Sequence, residues 1–204
     1  MLRDQIREVL LERILDGHYQ PGARIVETQV ASEFDVSQAP VREALRELEI
    51  LGMVTSEPYR GARVRQVTPR QLAEIYPVRA AIEEVAAQAA TPALQHDTAD
   101  LETELDAMRA AAEAGDRHEL LAHDVRFHRL IVEASGNATL LQVWRSLHIE
   151  ARTLITLLGD TTKLSDVAES HLAVLEAIRS GDPKRAGRTL RRHVEQFAGW
   201  IPDE

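Results

Sequence analysis

From Pro69 to the neighbourhood of Trp200 the apolar residues recur every three or four positions, the spacing of helices that bury one face. The pattern is interrupted only at Thr91-Pro92, Gly115-Asp116, Gly136-Asn137, Gly159-Asp160 and Gly181-Asp182-Pro183. This punctuation predicts helices near 70–90, 97–115, 117–135, 138–158, 163–180 and 183–200. Connections this short make successive helices neighbours, so the expected architecture is an all-α antiparallel bundle. Sparse aromatics, 4% of the chain, beside abundant alanine favour helices packed at short distance.

Four residues break the rule that such faces are apolar. At 100° per residue, Asp124 and His128 fall one turn apart inside the stripe formed by Leu120, Phe127, Leu130 and Ile131. His171 falls among Val167, Val174, Leu175 and Ile178, and His193 among Ala186, Leu190, Phe197 and Trp200. Burying an unpaired carboxylate costs several kcal/mol, and an unpartnered imidazole about 1–3 kcal/mol. Any one of the histidines alone reads as a core residue with a local hydrogen bond. Four such groups on three facing segments read as ligands of a shared cation. Their nitrogen and oxygen donors suit a borderline divalent ion, and four protein ligands leave octahedral positions open for water or a carboxylate.

The chain has no cysteine, which excludes disulfides, thiolate zinc sites and a cysteine nucleophile. A formal charge of −9 argues against nonspecific coating of nucleic acid. Its distribution is uneven: residues 1–68 hold nine arginines and eleven acids, and the remainder fifteen basic residues against twenty-two acids. A local DNA-binding face therefore remains open. The N-terminus leads directly into an amphipathic helix, and no stretch approaches the ~20 apolar residues of a membrane span, so a cytoplasmic location and no membrane partner are expected.

The first 68 residues are organised differently. Leu2–Leu15 has helical spacing and stops at Asp16-Gly17, Tyr19-Gln20-Pro21-Gly22 is a turn, Glu27–Phe34 is a short helix, and Asp35-Val36 is a tight connection. Ser37 is placed to cap a helix running to about Leu51, with Pro40 in its first turn. Alternating runs at 53–57 and 62–67, separated by Pro58-Tyr59-Arg60-Gly61, predict a hairpin. Three helices and a hairpin make a winged helix-turn-helix, with a linker at Thr68-Pro69. The expected domains are therefore 1–68 and 69–204.

On the helix from Gln38 to Leu51, Val41, Ala44, Leu45 and Leu48 form the apolar stripe, while Gln38, Arg42 and Arg46 face the other way at spacings of four. A recognition helix needs this division, one side docked on its own domain and the other reaching phosphates and base edges. Arg60, Arg63 and Arg65 on the hairpin would bring positive charge to the duplex, and Gly61 at its tip would let the backbone approach closely. The competing reading is an ordinary solvated face in which Glu43, Glu47 and Glu49 balance the arginines. The run Leu15-Asp16-Gly17-His18-Tyr19-Gln20-Pro21-Gly22, then Val36-Ser37-Gln38-Ala39-Pro40-Val41-Arg42-Glu43-Ala44-Leu45-Arg46-Glu47-Leu48, closely resembles the GntR family of bacterial transcription regulators, as do Gly52-Met53-Val54 and Arg60-Gly61-Ala62-Arg63-Val64. The resemblance implies DNA contacts at Arg42, Arg46 and Gly61. Many relatives carry arginine where this chain has Gln38, which points to a different operator preference.

The spacing Asp124-x-x-x-His128, then His171, then His193, resembles the FCD effector domain of the FadR branch of that family. That resemblance implies a divalent metal held by these four residues, zinc first with nickel or manganese as alternatives, and a small organic acid completing its coordination. Arg79 lies on an apolar face with Leu72, Ile75, Ile82 and Ala86, one turn before Glu83. It is either the partner of Glu83 in an ion pair within the bundle or the group that grips the effector carboxylate. Asn137 reads as a helix cap.

The combined expectation is a homodimeric regulator on a palindromic operator, with a metal-containing bundle that senses a carboxylate metabolite. A regulator that senses the metal itself is the first alternative. A mononuclear metalloenzyme is the second; it lacks an evident general base, and no histidine has a glutamate three positions before it, as a ferritin-like di-iron site would need.

Overall fold

The computed structural model describes residues 2–15, 18–57, 61–66, 69–147 and 163–198. It divides into two compact units, Met1–Val67 and Thr68–Glu204. The first contains α1 (Leu2–Leu15), β1 (Arg24–Ile25), α2 (Glu27–Glu33), α3 (Gln38–Ile50), β2 (Val54–Glu57) and β3 (Gly61–Val64). Ile6 and Leu10 of α1, Val41, Ala44 and Leu48 of α3, and Ile25, Val54, Ala62 and Val64 of the sheet are buried. Between α2 and α3, Asp35 takes φ 51°, a left-handed conformation that a short polar side chain tolerates, and this makes the turn tight. Ser37 occupies the N-cap position of α3 in extended geometry, but contrary to expectation its side chain makes no capping hydrogen bond.

The hairpin is part of a three-stranded antiparallel sheet in the order β1-β3-β2. Val54 pairs with Val64 and Glu57 with Gly61, while β1 adds Arg24 opposite Arg63 and Ile25 opposite Ala62. Two residues are too short a run to show alternation, and β1 is unforeseen for that reason. It forms because the turn at Pro21-Gly22 brings the chain beside β3, where Gly22 N donates to Val64 O at 3.0 Å and Val64 N to Ala23 O at 2.8 Å. Gly61 has φ +84°, and a Cβ there would lie 2.4 Å from the Ile25 carbonyl oxygen, so only glycine lets β1 approach β3 at this point.

The second unit is helical throughout its described residues: α4 (Pro69–Leu94), α5 (Ala99–Ala114), α6 (Arg117–Ala134), α7 (Ala138–Ser146), α8 (Leu164–Ser170), α9 (Leu172–Arg179) and α10 (Pro183–Ala198). α4 packs along α10 and α6, and α5 packs against α6. Asp116 caps α6 by accepting from Glu119 N at 3.0 Å, and Asn137 caps α7 by accepting from Leu140 N at 3.0 Å. No described helix is long and apolar enough to cross a membrane.

Two expected boundaries move. α4 does not break at Thr91-Pro92 but continues to Leu94, because Pro92 falls in its last turn, where the ring removes a single backbone bond. The helix expected over 163–180 is divided at His171, whose N–H reaches back three residues to Ala168 O at 3.2 Å in place of the four of an α-helix. The later part of the helix expected over 138–158, and the break at Gly159-Asp160, lie outside the described residues. Where α10 crosses α4, a Cβ on Gly187 would lie 2.9 Å from Glu84 O and 2.6 Å from Gln88 Cγ, so the two backbones approach as closely as they do only because residue 187 has no side chain.

Candidate functional site

In the first unit, Gln38, Arg42 and Arg46 are exposed on α3, opposite the buried stripe. A groove of about 610 Å³ is lined by Arg24, Val26, Glu27, Thr28, Gln38, Arg42 and Gly61, joining the start of α3 to α2 and the sheet. Arg63 is also exposed, and its Nη1 donates to Gly22 O at 2.7 Å. Arg60 lies outside the described residues. The hydrogen bonds of two acids of α3 go to other elements: Glu47 pairs with Arg3 Nε at 3.0 Å and Arg7 Nη1 at 2.9 Å on α1, and Glu49 accepts from Ser56 N at 2.8 Å and Ser56 Oγ at 2.6 Å on β2, with Arg46 a smaller influence on its charge. Arg42 instead meets Glu27 of α2, donating to its Oε2 through Nε at 3.1 Å and Nη2 at 2.7 Å. Neither Glu27 nor Arg24 was expected at this face.

In the second unit, Asp124, His128, His171 and His193 are all buried, none more than 3% exposed. Asp124 and His128 project one turn apart from α6, His171 from the joint between α8 and α9, and His193 from α10. A ligand nitrogen from each of the three histidines lies within 4.8 Å of the others. His193 Nε2 is 3.2 Å from His128 Nε2, and His171 Nε2 is 3.1 Å from Asp124 Oδ1. Phe127 and Phe197 wall the cluster edge-on, with ring centroids 5.0 Å from His171 and 5.2 Å from His193.

His171 Nδ1 lies 3.0 Å from Val167 O; a carbonyl only accepts, so Nδ1 donates there and Nε2 is the nitrogen turned toward Asp124. Despite that proximity, His171 Nε2 and Asp124 Oδ2 have no aligned hydrogen-bond partner, while His193 has the Ser170 backbone as a partner besides His128. Orphaned buried atoms of this kind are costly, and a cation among them would remove the cost. Two bonds of about 2.1 Å span about 4 Å across a common ion, close to the observed spread of the nitrogens. Burial, with His171 and His128 alongside, holds the proton affinity of His193 well below its ordinary value, so it is a neutral donor. Burial opposes the charge on Asp124, but His171, His128 and Arg79 outweigh it and keep the carboxyl below its usual range. Three mutually close imidazoles therefore fit a borderline divalent ion, and Asp124 stands at the edge of that group, beside His171.

Beside the cluster, Glu83 of α4 is completely buried. It accepts from Arg79 Nε at 2.7 Å, from Trp144 Nε1 at 2.9 Å, and faces His128 Nδ1 at 2.5 Å. Burial alone would raise its pKa, yet Arg79 and His128 hold it far below the usual carboxylate range; burial likewise works against the charge on Arg79, and Glu83 more than restores it. Arg79 thus forms the ion pair that was one of its two expected roles. Trp144 is placed by packing with Ala86, Val125, Val132 and Leu140.

The family described as bacterial regulatory proteins, gntR family, matches residues 2–64, and the FCD domain matches residues 74–196. A probable D-xylose utilization operon transcriptional repressor of Paenarthrobacter nicotinovorans is 36% identical over 193 residues, 95% of this chain and 85% of that protein. This chain belongs to the GntR family. The gluconate operon transcriptional repressor of Bacillus licheniformis is 27% identical, covering 94% of this chain and 81% of that one. Among solved structures, E. coli McbR/YncC superposes with a TM-score of 0.76 at 26% identity, over 96% of this chain and 94% of that one. This GntR-family chain is accordingly a DNA-binding transcriptional regulator with an FCD domain, and not an enzyme. For the FCD domain, sequence reasoning missed the place of Glu83 at the centre of the buried network, treating it only as a partner for Arg79. The signal was present: like Asp124, it is an acid on an apolar helical face, beside Ile82 and Ala86.

Proposed function

We propose that this regulator binds a palindromic double-stranded operator as a homodimer, through residues 1–68. Residues 69–204 dimerise and hold a divalent metal at which a small organic acid sets operator affinity. On this reading Gln38, Arg42 and Arg46 of α3, with Arg60, Gly61 and Arg63 of the wing, face DNA in the cytoplasm. Asp124, His128, His171 and His193 hold the ion, zinc first, with nickel or manganese as alternatives. The observation that carries the sensing half is the convergence of three buried histidines, with the buried Asp124 carboxylate against His171, in which His171 Nε2 and Asp124 Oδ2 lack an aligned hydrogen-bond partner. The ion, when bound, supplies positive charge and open coordination for a carboxylate. Arg79, held through its Nε by Glu83, would offer its terminal nitrogens to the same carboxylate. Gluconate is itself a carboxylate, and the name of one relative puts sugar acids at the head of the effector screen.

Elemental analysis of the purified protein, joined to a thermal-shift screen of mono- and dicarboxylates before and after chelation, tests this. The expected result is stoichiometric divalent metal and carboxylate stabilisation that disappears once the metal is stripped. Protein purified without bound metal that also fails to take up added zinc, nickel or manganese would end the proposal. The engagement of Arg79 by Glu83 favours one other reading, in which the metal itself is the signal; operator release by chelation alone, with no organic acid present, would select it.

A further inference from the structure

We propose that Glu83 is a positioning residue for the imidazole cluster: it dictates which ring nitrogen of His128 carries the proton and which turns a lone pair toward His193, His171 and Asp124. The inference rests on the metal-site reading above and adds a residue to it. Glu83 collects donors from three helices, Arg79 of α4 itself, His128 of α6 and Trp144 of α7. The guanidinium and the indole N–H can only donate, and both go to Oε1. Oε2 is left for His128 Nδ1, 2.5 Å away. A carboxylate accepts through both oxygens, so the hydrogen between these atoms sits on Nδ1. In the neutral ring His128 Nε2 is then unprotonated, and it is this nitrogen that lies 3.2 Å from His193 Nε2 within the cluster.

Neutralising Arg79 would require only the Oε1 side of Glu83. The second oxygen, aimed at the ring nitrogen on the far side of His128 from the cluster, has a different consequence. A carboxylate behind a ligating imidazole fixes the ring's tautomer and orientation, and its loss typically costs about 10–100-fold in metal affinity. The whole arrangement is fully buried, so no water takes the place of the missing partner.

Glu83→Gln tests the assignment with little change of shape. Its amide oxygen stays with the two obligate donors, Arg79 and Trp144, which turns the NH2 toward His128 Nδ1 and moves the ring proton to Nε2. Long-range 1H–15N spectra of metal-free protein should show His128 as the Nδ1–H tautomer in the natural chain and as Nε2–H in the variant. Zinc affinity, read by competition with a chromophoric chelator, should fall by about 10–100-fold. Trp144→Phe removes a donor from the other oxygen without touching the tautomer and should lose far less zinc affinity. Because Glu83→Gln leaves Arg79 buried without a counter-charge, the double variant Arg79→Met/Glu83→Gln provides the same comparison if the single one does not fold. An Nε2–H tautomer in the natural chain, unchanged zinc affinity in the glutamine variant, or an equal loss in Trp144→Phe would overturn the assignment. Failure of the metal reading looks different: the natural chain would bind no zinc, while the tautomer spectra would still decide the role of Glu83.

Discussion

A guanidinium carries five N–H donors, and Glu27 takes up Nε and one N–H of Nη2 of Arg42. The outer edge of the fork remains in the groove beside Gln38 and Gly61, which is the edge a bidentate contact to guanine uses. Arg42→Ala should therefore weaken operator binding and reduce discrimination at one base pair by about 1–3 kcal/mol, with the helical unit still folded. Fluorescence-anisotropy titrations against an operator and its single-base variants would show this, and unchanged affinity would remove α3 from the recognition role. Glu27→Gln should cost more in discrimination than in affinity, because the arginine keeps its charge but loses the brace that aims it. In the other unit, His171→Ala should lower metal content and melting temperature together. Full occupancy by elemental analysis would take His171 out of the ligand set.

At the level of elements, the crossing of α10 over α4 is the demanding helix contact, since a side chain at 187 meets the Glu84 carbonyl at 2.9 Å. Gly187→Leu should cost about 1–3 kcal/mol in urea unfolding and weaken metal binding through His193 on the same helix. An unchanged unfolding midpoint would mean that the crossing has slack. Helical periodicity was enough to place α5, α6 and α10 and to put Asp124, His128, His171 and His193 on inward faces, because amphipathic spacing and burial are one physical fact seen twice. It could not reveal β1, whose two residues become a strand only when β3 is beside them. Nor could it foresee the turn at His171, where one shortened backbone bond divides two stretches of identical spacing. Glu83 escaped for a related reason: its partners His128 and Trp144 are 45 and 61 residues away, and no local pattern joins them. Glu47 and Glu49 show the converse. They look like counter-charges for the arginines of α3, but their hydrogen bonds go to α1 and β2, and Glu49 also feels Arg46.

For the molecule as a regulator, the proposed control by an organic acid requires a single coupling free energy between the two ligands, so operator would change the affinity for the acid by the same factor by which the acid changes operator affinity. Isothermal titration of the organic acid with and without operator measures that factor directly, and identical affinities would leave the metal site without a regulatory role. The Arg42–Glu27 pair also alters the ionic bookkeeping of DNA binding. Proteins that dock free cations on phosphates displace condensed counterions, and each such contact steepens the fall of affinity with added salt. An arginine already neutralised by its own chain releases fewer, so the salt dependence of operator binding should be shallower than the arginines on α3 and the wing would indicate, leaving more of the selectivity intact as ionic strength rises.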